Sequence, residues 1–64
     1  MIIVDAMKVA KEGLVATNTA GLSFLYIPST KKYRFTRDYT QEDLIKQWAM
    51  RLPTKKESEV WLKN

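Results

Sequence analysis

Histidine and cysteine, the residues most often used for acid–base and nucleophilic catalysis, are both absent from this chain of 64 residues. Triads built on a histidine and zinc sites of the ordinary ligand type are therefore excluded. The two glycines, Gly13 and Gly21, are too far apart to form a phosphate-binding loop. The sequence predicts a binding protein that is not an enzyme and that uses no cofactor or metal.

Carboxylates are the remaining groups that could do chemistry. Glu42 and Asp43 are adjacent, but neighbouring residues on a helix point about 100° apart, so the pair does not form a shared site. A negative first turn that complements the helix dipole explains them better. Asp38 could join them in a carboxylate-only metal site, and a carboxylate-metal enzyme is the alternative that this leaves open.

The run KKYRFTR at 31–37 combines cations with aromatic residues. On a strand, Lys32 and Arg34 would share one face, and Arg37 would lie at the strand's end near Tyr39. Such cations pair with phosphates, and an exposed ring can stack on a base. The run therefore predicts a binding surface for a phosphate-bearing or acidic partner.

A structural explanation of the same run also stands. Tyr33 and Phe35 alternate with the cations, so both rings could belong to the core while the cations only keep an exposed face soluble. The whole net charge of +4 arises in residues 31–64, and a basic patch of this kind favours phosphate-bearing or acidic partners. The structural explanation of the two rings is nevertheless the favoured one.

The first half of the chain predicts one helix and three strands. Helical spacing of apolar residues indicates a helix over about Asp5–Glu12, ended by Gly13. Two apolar runs separated by turn residues predict a hairpin, with strands over Leu14–Thr17 and Leu22–Ile27. The second of these strands is apolar on both faces and is expected at the centre of the sheet. Alternation over Lys32–Thr36 predicts the third strand.

The second half predicts helices only. Thr40 is a suitable N-cap for a second helix, and Pro53 would end it. The helical stripe of this segment consists of Leu44, Ile45, Trp48 and Leu52.

Beyond this helix, the segment from Thr54 to Glu57 matches a capping box and predicts a final helix through Lys63, with an edge strand over Glu59–Lys63 as the alternative. The predicted fold is one α+β domain over residues 1–64. It has a three-stranded antiparallel sheet, helices packed on one face, and the order α-β-β-β-α-(α).

A domain of about 60 residues buries only about 60% of its unfolded surface, and disulfides, metals or self-association often stabilise such small cores. Because the first two are unavailable here, a homo-oligomer is expected, and Trp61 is a candidate for the subunit or partner interface. The lack of cysteine and of a signal-like or membrane-spanning apolar run predicts a cytoplasmic protein without membrane partners.

Two stretches, DAMKVAKEGLVATNTAGLSFLYI at 5–27 and TQEDLIKQWAM at 40–50, resemble the small phage proteins of the Thoeris anti-defence family. Members of that family sequester cyclic nucleotide immune messengers in pockets between subunits. The resemblance implies that the pocket residues are Asn18 in the hairpin turn and Thr40, Gln41 and Asp43 at the start of the second helix.

The element order also resembles small toxins of the double-stranded-RNA-binding-like type, whose RNase activity depends on a hairpin histidine that this chain lacks. Two functions are therefore expected as alternatives. The first is a phage-type inhibitor that binds a cyclic nucleotide or another phosphate-bearing ligand and blocks host defence. The second is a basic module that binds nucleic acid or an acidic host protein through Lys31, Lys32, Arg34 and Arg37.

Overall fold

The structure, a computed structural model, describes residues 1–63, and it describes side chains through Glu59. The side chain of Trp61, the predicted interface residue, lies outside this range. The elements follow the chain as α1 Ile3–Ala10, β1 Val15–Asn18, β2 Ser23–Ile27, β3 Lys32–Phe35, α2 Gln41–Ile45, β4 Trp48–Arg51 and α3 Lys55–Lys63. The strands form one antiparallel sheet in the order β3-β2-β1-β4.

The prediction of a three-stranded sheet is wrong, because the segment expected to continue the second helix forms β4. Helix α2 ends at Ile45, the backbone at Lys46 is extended, and β4 then pairs with all four residues of β1. The predicted helical stripe was misleading, since Ile45 and Leu52 are 80% and 78% exposed. Pairing with the free edge of β1 outweighs the local helical pattern.

The helices also do not pack on one face as predicted. Phe24 of β2 packs against Ala6 of α1. The next residue, Leu25, points to the opposite face, where it lines a cleft together with Lys56 and Glu57 of α3. Helices α1 and α3 therefore cover opposite faces of the sheet.

Other predictions are confirmed with small shifts in the boundaries. Helix α1 starts and ends two residues earlier than expected, and Gly13 follows it with φ of 100°, a conformation that side chains disfavour. The hairpin and β3 form as predicted, and β2 lies inside the sheet. At α3, Thr54 N donates to Glu57 Oε1 at 2.8 Å and Glu57 N donates to Thr54 Oγ1 at 3.2 Å, which is the predicted capping box.

Phe24 lies at the centre of the core between the sheet and α1. Its ring centroid is 5.0 Å from that of Trp48, 5.0 Å from that of Phe35 and 5.5 Å from that of Tyr33. The buried residues around it are otherwise small or aliphatic, namely Ala6, Ala10, Ala16 and Leu22. Because α1 contributes only alanines to the fully buried set, it can approach the aromatic layer closely.

Candidate ligand-binding site

The structure divides the predicted site residues into two groups. Arg37, Tyr39, Thr40 and Asp43 lie in or next to the segment between β3 and α2, and Asn18 meets them from the hairpin turn. The other two cations, Lys32 and Arg34, point to the face of the sheet that α3 covers. A single surface made of all seven residues is therefore not formed within the chain.

In the first group, the carboxylate of Asp43 has partners within the chain. Its Oδ2 accepts hydrogen bonds from Thr40 N at 3.0 Å and from Arg37 Nη1 at 3.3 Å. These contacts, with the Thr40 N–H as the larger cause, hold the pKa of the Asp43 carboxyl below its ordinary value. Asp43 therefore acts as a helix-capping residue that also orients Arg37.

Asn18 is 7% exposed and its amide is used in internal hydrogen bonds. Its Oδ1 accepts from Ala20 N and Leu22 N, both at 3.0 Å, and its Nδ2 donates to the backbone oxygen of Asp43 at 2.9 Å. The side chain thus closes the hairpin turn and attaches it to α2. The ligand contact that the family resemblance implies for Asn18 stays a prediction, and the hydrogen bonds of its side chain have a structural role.

Tyr39 offers the accessible aromatic surface of the first group. Its ring packs on Phe35 with centroids 4.3 Å apart and an interplanar angle of 36°, and the residue remains 46% exposed. Its position beside Arg37, whose side chain is 45% exposed, leaves one ring and one cation at the surface. An exposed ring and an exposed cation suit contact with a planar anionic group.

The second group lies at an open cleft between the sheet and α3. The cleft has a volume of about 190 Å³ and is lined by Leu25, Arg34, Phe35, Thr36, Lys56 and Glu57. Arg34 comes from β3 and Lys56 from the first turn of α3, so two cations that are far apart in sequence line the same cleft. Lys32 is exposed on the same face of β3, two residues before Arg34, and does not line the cleft.

The carboxylate of Glu57, which lines this cleft, is neutralised by Arg51. Arg51 of β4 holds it in a bidentate pair, with Nη1 to Oε1 at 2.6 Å and Nη2 to Oε2 at 2.8 Å. This hydrogen bonding lowers the pKa of Glu57 to about 2. Within residues 1–59 the ion pairs are this one and Arg37–Asp43, so neither Arg34 nor Lys56 is paired with a carboxylate. The cleft is consequently positive.

Sequence reasoning missed Lys56 and the pair of Arg51 with Glu57. The capping box correctly placed Glu57 at the start of a helix. The position of that helix over the β2–β3 face depends on β4, which was assigned to the wrong element. Unless β4 is recognised, the sequence does not predict that Arg51, Lys56 and Arg34 lie on the same side of the sheet.

No protein-family model, curated protein or solved structure matches the chain. Among the residues that the structure describes, no three carboxylates come close enough to hold a metal ion, and Asp38, Glu42 and Asp43 do not form the cluster considered above. No helix in the described part of the chain has the length and apolar character needed to cross a membrane.

The Arg51–Glu57 pair makes stability depend on pH. Because the pKa of Glu57 is depressed from 4.5 to about 2 in the folded protein, the pair contributes fully above about pH 4.5 and is lost as pH falls towards 2. We expect Glu57→Gln to lower the free energy of unfolding by about 1 kcal/mol at pH 7, and the difference from the wild type should vanish near pH 2.

Urea unfolding of the wild type and Glu57→Gln at pH 7, 4 and 2.5 measures this difference. The lowered pKa of Asp43 also makes stability depend on pH, but Asp43 is present in both proteins and its contribution cancels in the comparison. A difference in stability that stays constant over these three pH values would show that the pair contributes nothing to the attachment of α3.

Proposed function

We propose that this protein binds a phosphate-bearing, nucleotide-derived ligand in the cleft between the sheet and α3, without catalysing a reaction on it. The observation that carries the proposal is the pair of cations, Arg34 and Lys56, on either side of an open cleft of about 190 Å³. Neither cation has a carboxylate partner within residues 1–59. A bound anion would supply the missing counter-charge.

The chemistry of the lining fits such a ligand. A guanidinium presents a planar set of donors that matches phosphate oxygens, and a lysine adds a flexible point charge. Leu25 supplies apolar surface to the cleft, and Thr36 adds a hydroxyl. Small-molecule sites usually have volumes of about 300–1,000 Å³, so this cleft is large enough for the phosphate end of a nucleotide but not for a whole dinucleotide.

The size of the cleft connects the proposal to self-association. If one chain holds the phosphate end, a second copy placed over the cleft would enclose the rest of the ligand. Ligand pockets shared between subunits are also what the resemblance to the Thoeris anti-defence proteins implies. In that setting, sequestration of a cyclic nucleotide messenger would block a host defence pathway, and the protein would act by binding alone.

Isothermal titration calorimetry with cyclic dinucleotides and with cyclic ADP-ribose isomers tests the proposal. We expect one of these ligands to bind the wild type, and the double variant Arg34→Gln with Lys56→Gln to bind it at least about tenfold more weakly, since two charge-assisted contacts are lost. Native mass spectrometry of the same complex would report how many chains hold one ligand.

A matched control is Lys8→Gln combined with Lys11→Gln, which removes the same net charge from α1 and its C-cap on the other face of the sheet. This variant should bind as tightly as the wild type. The proposal is wrong if none of the ligands produces heat or a shift in melting temperature. Equal weakening by the two double variants would show that net charge, and not the cleft, controls binding.

A further inference from the structure

In the part of the chain that the structure describes, the outer side of β3 is an open sheet edge. Thr36 N donates to Ser23 O at 2.9 Å, which fixes the hydrogen-bonded pairs between β3 and β2. Since such pairs alternate along an antiparallel ladder, Tyr33 and Phe35 direct their N–H and C=O groups away from β2. Among the described residues, no further strand pairs with β3, so these four groups are available to a partner.

The two faces of this edge differ in chemistry. Lys32 and Arg34 are exposed on the face that α3 covers. Tyr33 and Phe35 are half-buried on the other face, where both pack against Phe24. An added strand would alternate in the same way, so every second side chain would lie beside the cations and the others beside the aromatic rings. Acidic residues fit the first set of positions and apolar residues fit the second.

The charges argue against a second copy of this chain at the same edge. Lysines on edge strands discourage edge-to-edge pairing, and two β3 strands side by side would bring Lys32 and Arg34 close to their own counterparts. Neither residue takes part in the ion pairs within residues 1–59. A segment of opposite charge is therefore the complementary occupant.

The opposite edge of the sheet is partly closed. On β4, Trp48 N donates to Met1 O at 2.8 Å and the Met1 amino group donates to Trp48 O at 2.8 Å. Two residues of β4 have backbone groups that point away from β1, and these contacts occupy the groups of one of them, Trp48. Of the two edge strands, β3 is therefore the more accessible.

We propose that β3 is a docking edge for an extended segment of a partner protein in which acidic and apolar residues alternate. The segment adds to the sheet as a fifth strand, with its backbone bonded to Tyr33 and Phe35. Its acidic side chains pair with Lys32 and Arg34, and its apolar side chains extend the aromatic row. The docking edge shares Arg34 with the proposed ligand cleft, but Lys32 does not line that cleft, so a change at Lys32 tests the docking edge alone.

A blocked peptide of alternating valine and glutamate, seven residues long, is a direct probe. We expect its binding to slow the amide hydrogen exchange of Tyr33 and Phe35, measured by NMR on the isotope-labelled protein. A peptide of the same composition with its glutamates contiguous has the same charge but the wrong period. It should bind at least about tenfold more weakly and leave the two amides unprotected.

Reversing the charge of Lys32 provides the second part of the test. Lys32→Glu should weaken binding of the valine–glutamate peptide by about tenfold and strengthen binding of the corresponding valine–lysine peptide. Lys8→Glu, the same change on α1, should affect neither. Because Lys32 is outside the cleft lining, failure of this test leaves the ligand proposal untouched, and failure of the nucleotide titration leaves this one untouched.

Three outcomes would overturn the proposal. Equal binding of both glutamate peptides would mean that only net charge is recognised. Protection of β4 amides in place of Tyr33 and Phe35 would place the docking edge on the other side of the sheet. Protection of β3 by a single-stranded oligonucleotide, with no effect of either peptide, would make the basic strand a nucleic-acid site.

Discussion

Replacing Phe24 by alanine is expected to lower the free energy of unfolding by about 3–5 kcal/mol. The ring contacts three other aromatic rings, with centroids 5.0–5.5 Å away, and is 1% exposed. Its removal leaves a cavity at the centre of the core, where Phe24 is the largest of the fully buried side chains. Urea unfolding followed by tryptophan fluorescence measures the loss, because Trp48 is one of the contacting rings.

So large a loss could leave the variant mostly unfolded, since small domains are marginally stable. Phe24→Leu keeps part of the volume and should lose less, which makes the effect measurable as a graded series. Ile45→Ala is the control, because Ile45 is equally apolar but 80% exposed, and its replacement should change stability by less than about 0.5 kcal/mol. Comparable losses at Phe24 and Ile45 would mean that the core is not where the structure places it.

Local patterns were enough to predict the elements whose contacts are mainly local. The α1 helix, the hairpin, the alternation of β3 and the capping box of α3 follow from periodicity, turn residues and capping. They were predicted with errors of one or two residues, of the usual size for helix ends. The alternation also placed Tyr33 and Phe35 on one face of β3 and Arg34 on the other, and in the structure the two rings are half-buried while Arg34 is exposed.

The sequence could not reveal the long-range pairing of β4 with β1. Trp48 has the spacing of a helical residue relative to Leu44, and the two do interact, but through a hydrogen bond from Trp48 Nε1 to Leu44 O at 3.1 Å across the end of α2. The chain after Ile45 becomes a strand because β1 offers it a free edge. The four-stranded order and the sides taken by α1 and α3 depend on that one pairing.

The candidate site was predicted in part. The basic run supplied Lys32 and Arg34, but the cleft also needs Lys56, which reaches it only through the position of α3. Asn18, Thr40 and Asp43 came from a family resemblance and from their capping and turn chemistry. The structure joins these three in one network that ties the hairpin to α2. Residue types that suit ligand contact are equally suited to such internal hydrogen bonds. The sequence alone therefore does not distinguish a binding role from a structural one.

Asn18→Ala decides between these roles for Asn18, and we expect it to lower the free energy of unfolding by about 2–4 kcal/mol. The substitution removes three internal hydrogen bonds and leaves Ala20 N, Leu22 N and Asp43 O without their partner, at a position that is 7% exposed. Urea unfolding measures the loss. Thr19→Ala, in the same turn but exposed, is the matched control and should change stability by less than about 0.5 kcal/mol.

Asn18→Asp separates stability from binding more sharply. A carboxylate still accepts from Ala20 N and Leu22 N, but it cannot donate to Asp43 O, so one internal hydrogen bond is lost in place of three. Because the amide faces α2 and not the cleft, the affinity of the folded Asn18→Asp protein for a cleft ligand should stay within about twofold of the wild type. A folded, stable Asn18→Asp protein that has lost its ligand would contradict this expectation. It would move the binding site to the hairpin turn and the start of α2, where the family resemblance puts it.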